Sequence, residues 1–223
     1  MKTSLIVLWI AAFLSAVALP AEAQDGKKEK KEKEEKFEKT GTSADAFLKA
    51  AFELGREMRK FNRSYDDVKV FAYMLVTRPS DVIGKDVATV LMTAKDAGTV
   101  PATVEVTELK KQIGDKASVL KDIKDAAVKN SITAFVSDFT AMSGALAKLP
   151  ENAATLIAEA AALPDKLTAE MTGLQKAKLP KVLDKVADGK SHLEAIRNEA
   201  PVLALNVTEM IMVLNALAQA LGS

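Results

Sequence analysis

Apolar residues recur every seven positions in the part of the chain that follows Ser43. The recurring residues are Phe47, Leu54, Phe61, Val68 and Leu75, and the stripe beside them is Ala51, Met58, Tyr65 and Ala72. This spacing is typical of an amphipathic helix of coiled-coil type. It predicts a helix capped by Ser43, with a kink near 62–64. The helix should end at about Thr77, because a residue before a proline such as Pro79 disfavours helix.

Weaker helical patterns occupy the middle of the chain. A second helix is predicted at about 80–97, with Gly98 as its C-terminal cap. Residues 99–107 have strand-like chemistry without a partner strand, so we expect an extended connection there. A near-3.6 period then predicts one long helix to about Leu149, beginning either near Thr107 or at Asp115.

Four prolines punctuate the C-terminal part of the chain. Pro150, Pro164 and Pro180 each follow a leucine, and Pro201 follows an alanine. A proline fits the first turn of a helix, where its missing N–H group is not needed. The predicted segments, either separate helices or kinked continuations, are 151–163, 165–178, 181–199 and 202–221. The pattern therefore predicts an all-α, antiparallel bundle of five to seven helical segments, forming one domain over 43–223.

The last predicted segment is apolar on every side, and Glu209 is its only charge. Such a helix is usually buried at the centre of a bundle, which we favour over an interface or membrane insertion. Asn206 and Asn215 argue against insertion into hydrocarbon. If the segment instead forms an interface, the candidate partner or ligand contacts are Met210, Ile211, Val213, Leu214 and Leu217.

The first 42 residues predict export and a spacer. Residues 1–23 combine Lys2, an apolar run and Ala21-Glu22-Ala23, the pattern of a signal peptide cleaved before Gln24. Residues 24–42 are rich in Lys and Glu and cannot bury enough apolar surface to fold, so we expect disorder. We therefore expect a protein of the bacterial periplasm, cell envelope or extracellular space. An uncleaved anchor, or a polybasic tether in the spacer, is the less favoured interpretation.

The amino-acid composition excludes most kinds of catalytic and metal-binding site. The chain has no Cys, one His and a net charge of +1. Thiol catalysis and metal sites built on several Cys or His residues are excluded, so no cofactor and no metal are expected. The single imidazole, His192, lies in a polar stretch and is predicted to be a solvated surface group. We find no catalytic residues and expect a protein that is not an enzyme.

One basic cluster stands apart from the otherwise mixed charges. Its members lie late in the first helix, close to three aromatic residues, and are Arg56, Arg59, Lys60 and Arg63. Such a patch fits a nucleic-acid or acidic-lipid surface, or a solvated helix face whose aromatics turn inward. We favour the solvated face and expect no nucleic-acid partner.

Two functions follow as hypotheses. The first is a secreted or periplasmic structural or protein-interaction module that binds an unknown protein or itself. The second is lipid or hydrophobic-ligand binding by amphipathic helices that hinge at their prolines. In layout alone, residues 147–221 resemble the exchangeable apolipoproteins, and the resemblance implies helices that open onto acyl chains. Its proline spacings of 14, 16 and 21 residues are irregular.

Overall fold

A computed structural model describes residues 37–96, 98, 100–101 and 104–222, which belong to one compact unit, Phe37–Ser223. Within these ranges the fold is all-α and contains no strand. The helices are α1 (Asp45–Thr77), α2 (Val87–Asp96), α3 (Val106–Asp115), α4 (Ala117–Lys121), α5 (Ala126–Leu146), α6 (Leu149–Ala160), α7 (Leu163–Glu170) and α8 (Leu179–Ala220). Two 3₁₀ turns span Pro79–Asp81 and Gly173–Lys178. The predicted all-α fold class is confirmed.

Three long rods make up the bundle: α1, the broken run α5–α6–α7, and α8. The aromatic rings of α1 and α5 pair in opposite order, Tyr65 with Phe139 at 6.5 Å and Phe71 with Phe135 at 5.3 Å between centroids, so these helices are antiparallel. The side chain of Lys129, at the start of α5, reaches the carbonyl oxygen of Gly222. The second rod therefore runs antiparallel to the other two, and we call the end of the bundle that holds the C-terminus of α8 its upper end.

The central rod is α8, which packs against α1, α5 and α6. Its buried residues run its whole length, from Val182 to Leu217, and they join one continuous apolar core with the other helices. Helices α2 to α4 cover the upper end of the bundle, where the ammonium group of Lys116 donates to the carbonyl oxygen of Val76. The turn at 171–178 lies at the lower end.

The first helix follows its predicted course without a break at 62–64. Its start differs from the prediction, because the cap position is Ala44 and no side chain caps the helix there. The carboxylate of Asp45 instead accepts hydrogen bonds from the backbone N–H groups of Thr40, at 2.6 Å, and Gly41, at 3.0 Å. The N-terminal turn is thus held from inside the helix rather than by Ser43.

The predicted helix at 80–97 is wrong in its first half. After the 3₁₀ turn, Gly84 adopts a φ of 75°, and helix α2 begins only at Val87. The N–H group of Gly84 donates to Asp125 across the fold, at 2.6 Å, and holds this turn in place. The predicted role of Gly98 is confirmed, because its φ of 57° and its hydrogen bond to Lys95 are those of a helix C-terminal cap.

The single long helix predicted up to Leu149 is also wrong. The chain forms α3, α4 and α5 instead. Of the expected connection at 99–107, the described residues before Val106 are non-helical, as predicted. A new helix starts at Ala126 because the Asp125 carboxylate accepts hydrogen bonds from the N–H groups of Ala127 and Val128.

The four prolines divide into two kinds. Pro150, Pro164 and Pro180 occupy the first turns of α6, α7 and α8, as predicted. Pro201 lies inside α8, so the predicted segments 181–199 and 202–221 are one helix. A proline leaves the carbonyl group of the preceding turn without its helical partner. The helix continues because Ala200 and Leu203, on either side, are both buried in the core.

The end of the predicted disordered spacer is ordered. Phe37 packs against Phe52, with ring centroids 6.3 Å apart, and the carboxylate of Glu38 lies 3.5 Å from the ammonium group of Lys185. Residues 37–42 therefore pack onto the bundle, contrary to the prediction for them. The predicted signal peptide and spacer residues 24–36 lie outside the described residues.

Candidate interaction surface on the last helix

The residues proposed from sequence as partner contacts lie in the core. Met210, Val213, Leu214 and Leu217 are each 0% exposed, and only Ile211 is half-buried. They belong to the apolar core shared with the other helices or pack against it, as favoured for a central helix. These four side chains are therefore inaccessible in the folded chain, and the prediction that they form an outer contact is corrected.

A different face of the same helix is apolar and exposed. Val202, Leu205 and Met212 are 58%, 68% and 49% exposed, respectively. On a helix of 3.6 residues per turn, positions 202, 205 and 212 fall within an arc of about 80°, so these three side chains form one stripe. We call these three residues the apolar stripe. Glu209, also exposed, lies within the same arc and is its only charge.

A shallow groove adjoins the stripe where α8 passes the junction between α5 and α6. Its volume is about 390 Å³, and its lining residues are Leu146, Ala147, Pro150, Pro201, Ala204, Leu205 and Thr208. No charged side chain lines it. Two proline rings contribute to its walls, because the internal proline of α8 lies opposite the first-turn proline of α6. Leu205 belongs to both the groove and the stripe, which makes it the central residue of this surface.

The only histidine is exposed, as predicted, but it is also in close contact with another helix. A Cβ atom added to Gly55 of α1 would overlap the His192 imidazole, so the ring lies directly over the glycine backbone. A Cβ atom at Gly189 would lie 3.1 Å from the ring of Phe47. Glycines thus let α1 and the first half of α8 approach closely, a contact that the heptad pattern did not reveal.

The basic patch occupies the outer face of α1, where Arg56, Arg59, Lys60 and Arg63 are all exposed. Two of its three aromatic neighbours turn inward, as favoured from sequence: Tyr65 is buried and Phe61 packs partly on the core, whereas Phe52 packs against Phe37. Glu57 lies among these cations, and partial burial raises its pKa while the charge of Lys60 acts in the opposite direction. The patch is therefore mixed in charge.

No cluster of three or more His, Cys, Asp or Glu side chains that could hold a metal ion occurs within the described ranges. The Asp125 carboxylate within these ranges has a structural role. Its hydrogen bonds with the N–H groups of Gly84 and Ala127 lower its pKa. That carboxylate joins the turn at Gly84 to the start of α5, so its chemistry serves the fold.

One helical stretch in the described part of the chain is long and apolar enough to cross a membrane. It runs from Gly173 to Ala220, and 39% of its most apolar window is buried within the bundle. The core helix of a soluble bundle passes the same test of length and composition. In comparisons with known proteins, no family model, curated protein or solved structure matches the chain.

Proposed function

We propose that this chain is an exported helical-bundle protein that acts by binding another protein chain and has no catalytic activity. The observation that carries the proposal is the apolar stripe of Val202, Leu205 and Met212, which runs beside the uncharged groove. The buried face of α8 already supplies the core, so the fold does not require these exposed side chains. Exposed apolar residues grouped on one face are typical of interaction sites.

The shape of the surface suits a helix. A groove bordered by an apolar ridge accepts the apolar face of an amphipathic helix, whose anchors repeat at intervals of three, four and seven residues. Leu205 and Met212 are themselves seven residues apart. Because Glu209 is the only charge in this face, a strongly acidic or basic partner has little to recognise here.

The occupant we propose is a second copy of this chain. The stripe is itself an exposed apolar helix face, so two copies related by a two-fold axis would each cover the stripe of the other. Three apolar side chains and one shallow groove make a small contact area. We therefore expect a weak dimer that forms only at high concentration.

Sedimentation equilibrium of the chain from Gln24 onward, over a wide concentration range, tests this proposal. We expect reversible dimerisation that Leu205→Ser abolishes. Met92→Ser is the matched control, because Met92 is 61% exposed on α2, away from the stripe. A chain that stays monomeric at high concentration removes the second copy as the occupant. Equal loss of dimer in both variants would place the interface elsewhere.

Lipid or hydrophobic-ligand binding is the second candidate. It is supported by the groove and by Pro201, an internal proline at which α8 could hinge. The test combines vesicle flotation with circular dichroism and near-ultraviolet spectra. Opening of the bundle predicts co-flotation with retained helicity and a loss of fixed environment around Tyr65 and Tyr73. Absence of co-flotation contradicts it.

Export rests on residues 1–23 and is tested by the mass of the protein recovered from the cell envelope. Cleavage before Gln24 removes Trp9, the only tryptophan of the chain. We therefore expect an N-terminus at Gln24 and near-ultraviolet absorption without a tryptophan band. Tryptophan fluorescence from the purified envelope form would show that the leader is retained.

A further inference from the structure

The turn between α7 and α8 carries the most exposed large apolar side chain among the described residues. Leu174 is 95% exposed, and every residue from Thr172 to Lys178 is exposed with it. Met171, immediately before the turn, is buried and fixes its base. The turn therefore projects from the lower end of the bundle on a fixed support, with a leucine at its apex.

Three lysines follow this leucine along the chain, and carboxylates are missing from the same stretch. Lys176, Lys178 and Lys181 lie between Met171 and Leu183, and no Asp or Glu occurs among those residues. The nearest acids along the chain are Glu170 and Asp184. The Glu170 carboxylate accepts a hydrogen bond from the N–H group of Ser43, at 3.2 Å. The projecting turn and the first residues of α8 together thus have a local charge of +3.

The local backbone arranges these side chains by type. Gly173–Lys178 is a 3₁₀ turn, in which side chains three residues apart eclipse one another. Leu174 and Ala177 therefore line up as a short apolar ridge. Lys176 lies on one flank of that ridge, and Gln175 and Lys178 lie on the other. An apolar ridge between lysines matches a lipid interface, where the ridge enters the acyl boundary while the ammonium groups meet phosphate.

Residues 37–43 pack at the same end of the bundle. Ser43 lies next to Glu170, just before the turn, and Glu38 lies next to Lys185, just after it. These contacts link both ends of the turn to the start of the described chain.

We propose that the turn at 171–178, together with Lys181 at the start of α8, is a peripheral binding site for an anionic lipid surface, with Leu174 inserted and the ammonium groups of Lys176, Lys178 and Lys181 against the headgroups. This site is distinct from the apolar stripe, which lies on the upper half of α8. It leaves the bundle closed, unlike binding by helices that hinge open. A single leucine and three lysines give weak attachment that falls as salt rises, because the electrostatic part is screened.

The experiment is sedimentation of the Gln24–Ser223 chain with vesicles of phosphatidylcholine, alone or mixed with phosphatidylglycerol, at low and high salt. The core runs from Ala44 to Leu221, so this chain retains all of it. We expect binding only to the anionic vesicles. Leu174→Ser should reduce the partition coefficient about tenfold, and each lysine replaced by glutamine about fivefold.

Matched controls separate this site from general charge and apolarity. The triple replacement of Lys176, Lys178 and Lys181 by glutamine is compared with the same replacement of three exposed lysines at the other end, Lys110, Lys111 and Lys121. Met92→Ser is compared with Leu174→Ser. Equal effects of the two triple variants, or binding unaffected by Leu174→Ser, would overturn the proposal. Absence of binding to anionic vesicles would also overturn it, and would favour an acidic protein as the partner of the turn.

Discussion

The first and second halves of α8 bury the same kind of face and expose different ones. Leu193 in the first half and Leu214 in the second are both 0% exposed. On the outer side, residues 179–200 carry eight charged side chains, whereas residues 201–220 carry one. A charged outer face is sufficient for a helix in this position, because the first half has one. The apolar outer face of the second half is therefore not required by the packing of the helix.

The two halves also meet the first rod differently. In the first half, Gly189 and His192 interlock with Phe47 and Gly55 of α1. In the second half, buried leucines and valines of α8 fill the space between α1, α5 and the upper helices. Pro201 stands at the boundary. The halves thus differ in how they pack and in what they expose, and four substitution experiments test those differences.

The largest effect should be equal in the two halves. Leu193→Ala and Leu214→Ala each remove a fully buried side chain, and each should lower the free energy of unfolding by about 3 kcal/mol. Urea denaturation followed by circular dichroism measures both. A loss of stability confined to one variant would show that the other half of α8 is not part of the same core. The two halves would then not bury the same kind of face.

The boundary itself gives the next largest effect. Pro201→Ala restores a backbone N–H group at an exposed position inside α8, and should raise the free energy of unfolding by about 2 kcal/mol. Pro180→Ala is the control, because Pro180 lies in the first turn and its N–H group has no helical partner to lose. Its effect should stay within about 0.5 kcal/mol. Destabilisation by Pro201→Ala would mean that the proline shapes a needed bend.

Sequence reasoning succeeded where one residue decides the local structure and failed where distant residues decide it. Pro150, Pro164 and Pro180 start helices because of a property of the proline ring alone. The break before α5 depends on Asp125, whose carboxylate also binds the N–H group of Gly84, 41 residues away. The local spacing of apolar residues does not indicate this pairing of Asp125 with Gly84.

The candidate surface could not be predicted from the sequence for a related reason. When a helix is apolar on every side, its sequence does not indicate which side faces the core. Met210 and Leu205 therefore look equally suited to an interface. Only the packing of the other helices decides that Met210 is buried and that Leu205 is exposed. The exposed Leu174 was likewise hidden, because the pattern placed it inside a predicted helix at 165–178.

A smaller effect distinguishes the glycine contact of the first half. Gly55→Ala gains helix propensity of about 1 kcal/mol, but the new methyl group displaces the His192 ring. In the His192→Ala background that conflict is absent, so Gly55→Ala should stabilise the protein there by about 1 kcal/mol and by less in the native background. A double-mutant cycle measures the difference. Identical effects in both backgrounds would mean that the ring does not rest on the glycine.

Substitutions on the exposed faces should have the smallest effect on stability. They test most directly the proposal that the apolar stripe is not needed for folding. Leu205→Lys in the second half and Lys190→Ser in the first should each change the free energy of unfolding by no more than about 0.5 kcal/mol. Both side chains are exposed, and neither supports the core. Thermal denaturation at a dilution where the chain is monomeric measures the change without any contribution from association. A loss above about 1 kcal/mol in Leu205→Lys alone would make Leu205 a packing residue of the groove. The exposed apolarity of the second half would then serve the fold of the monomer and not a partner.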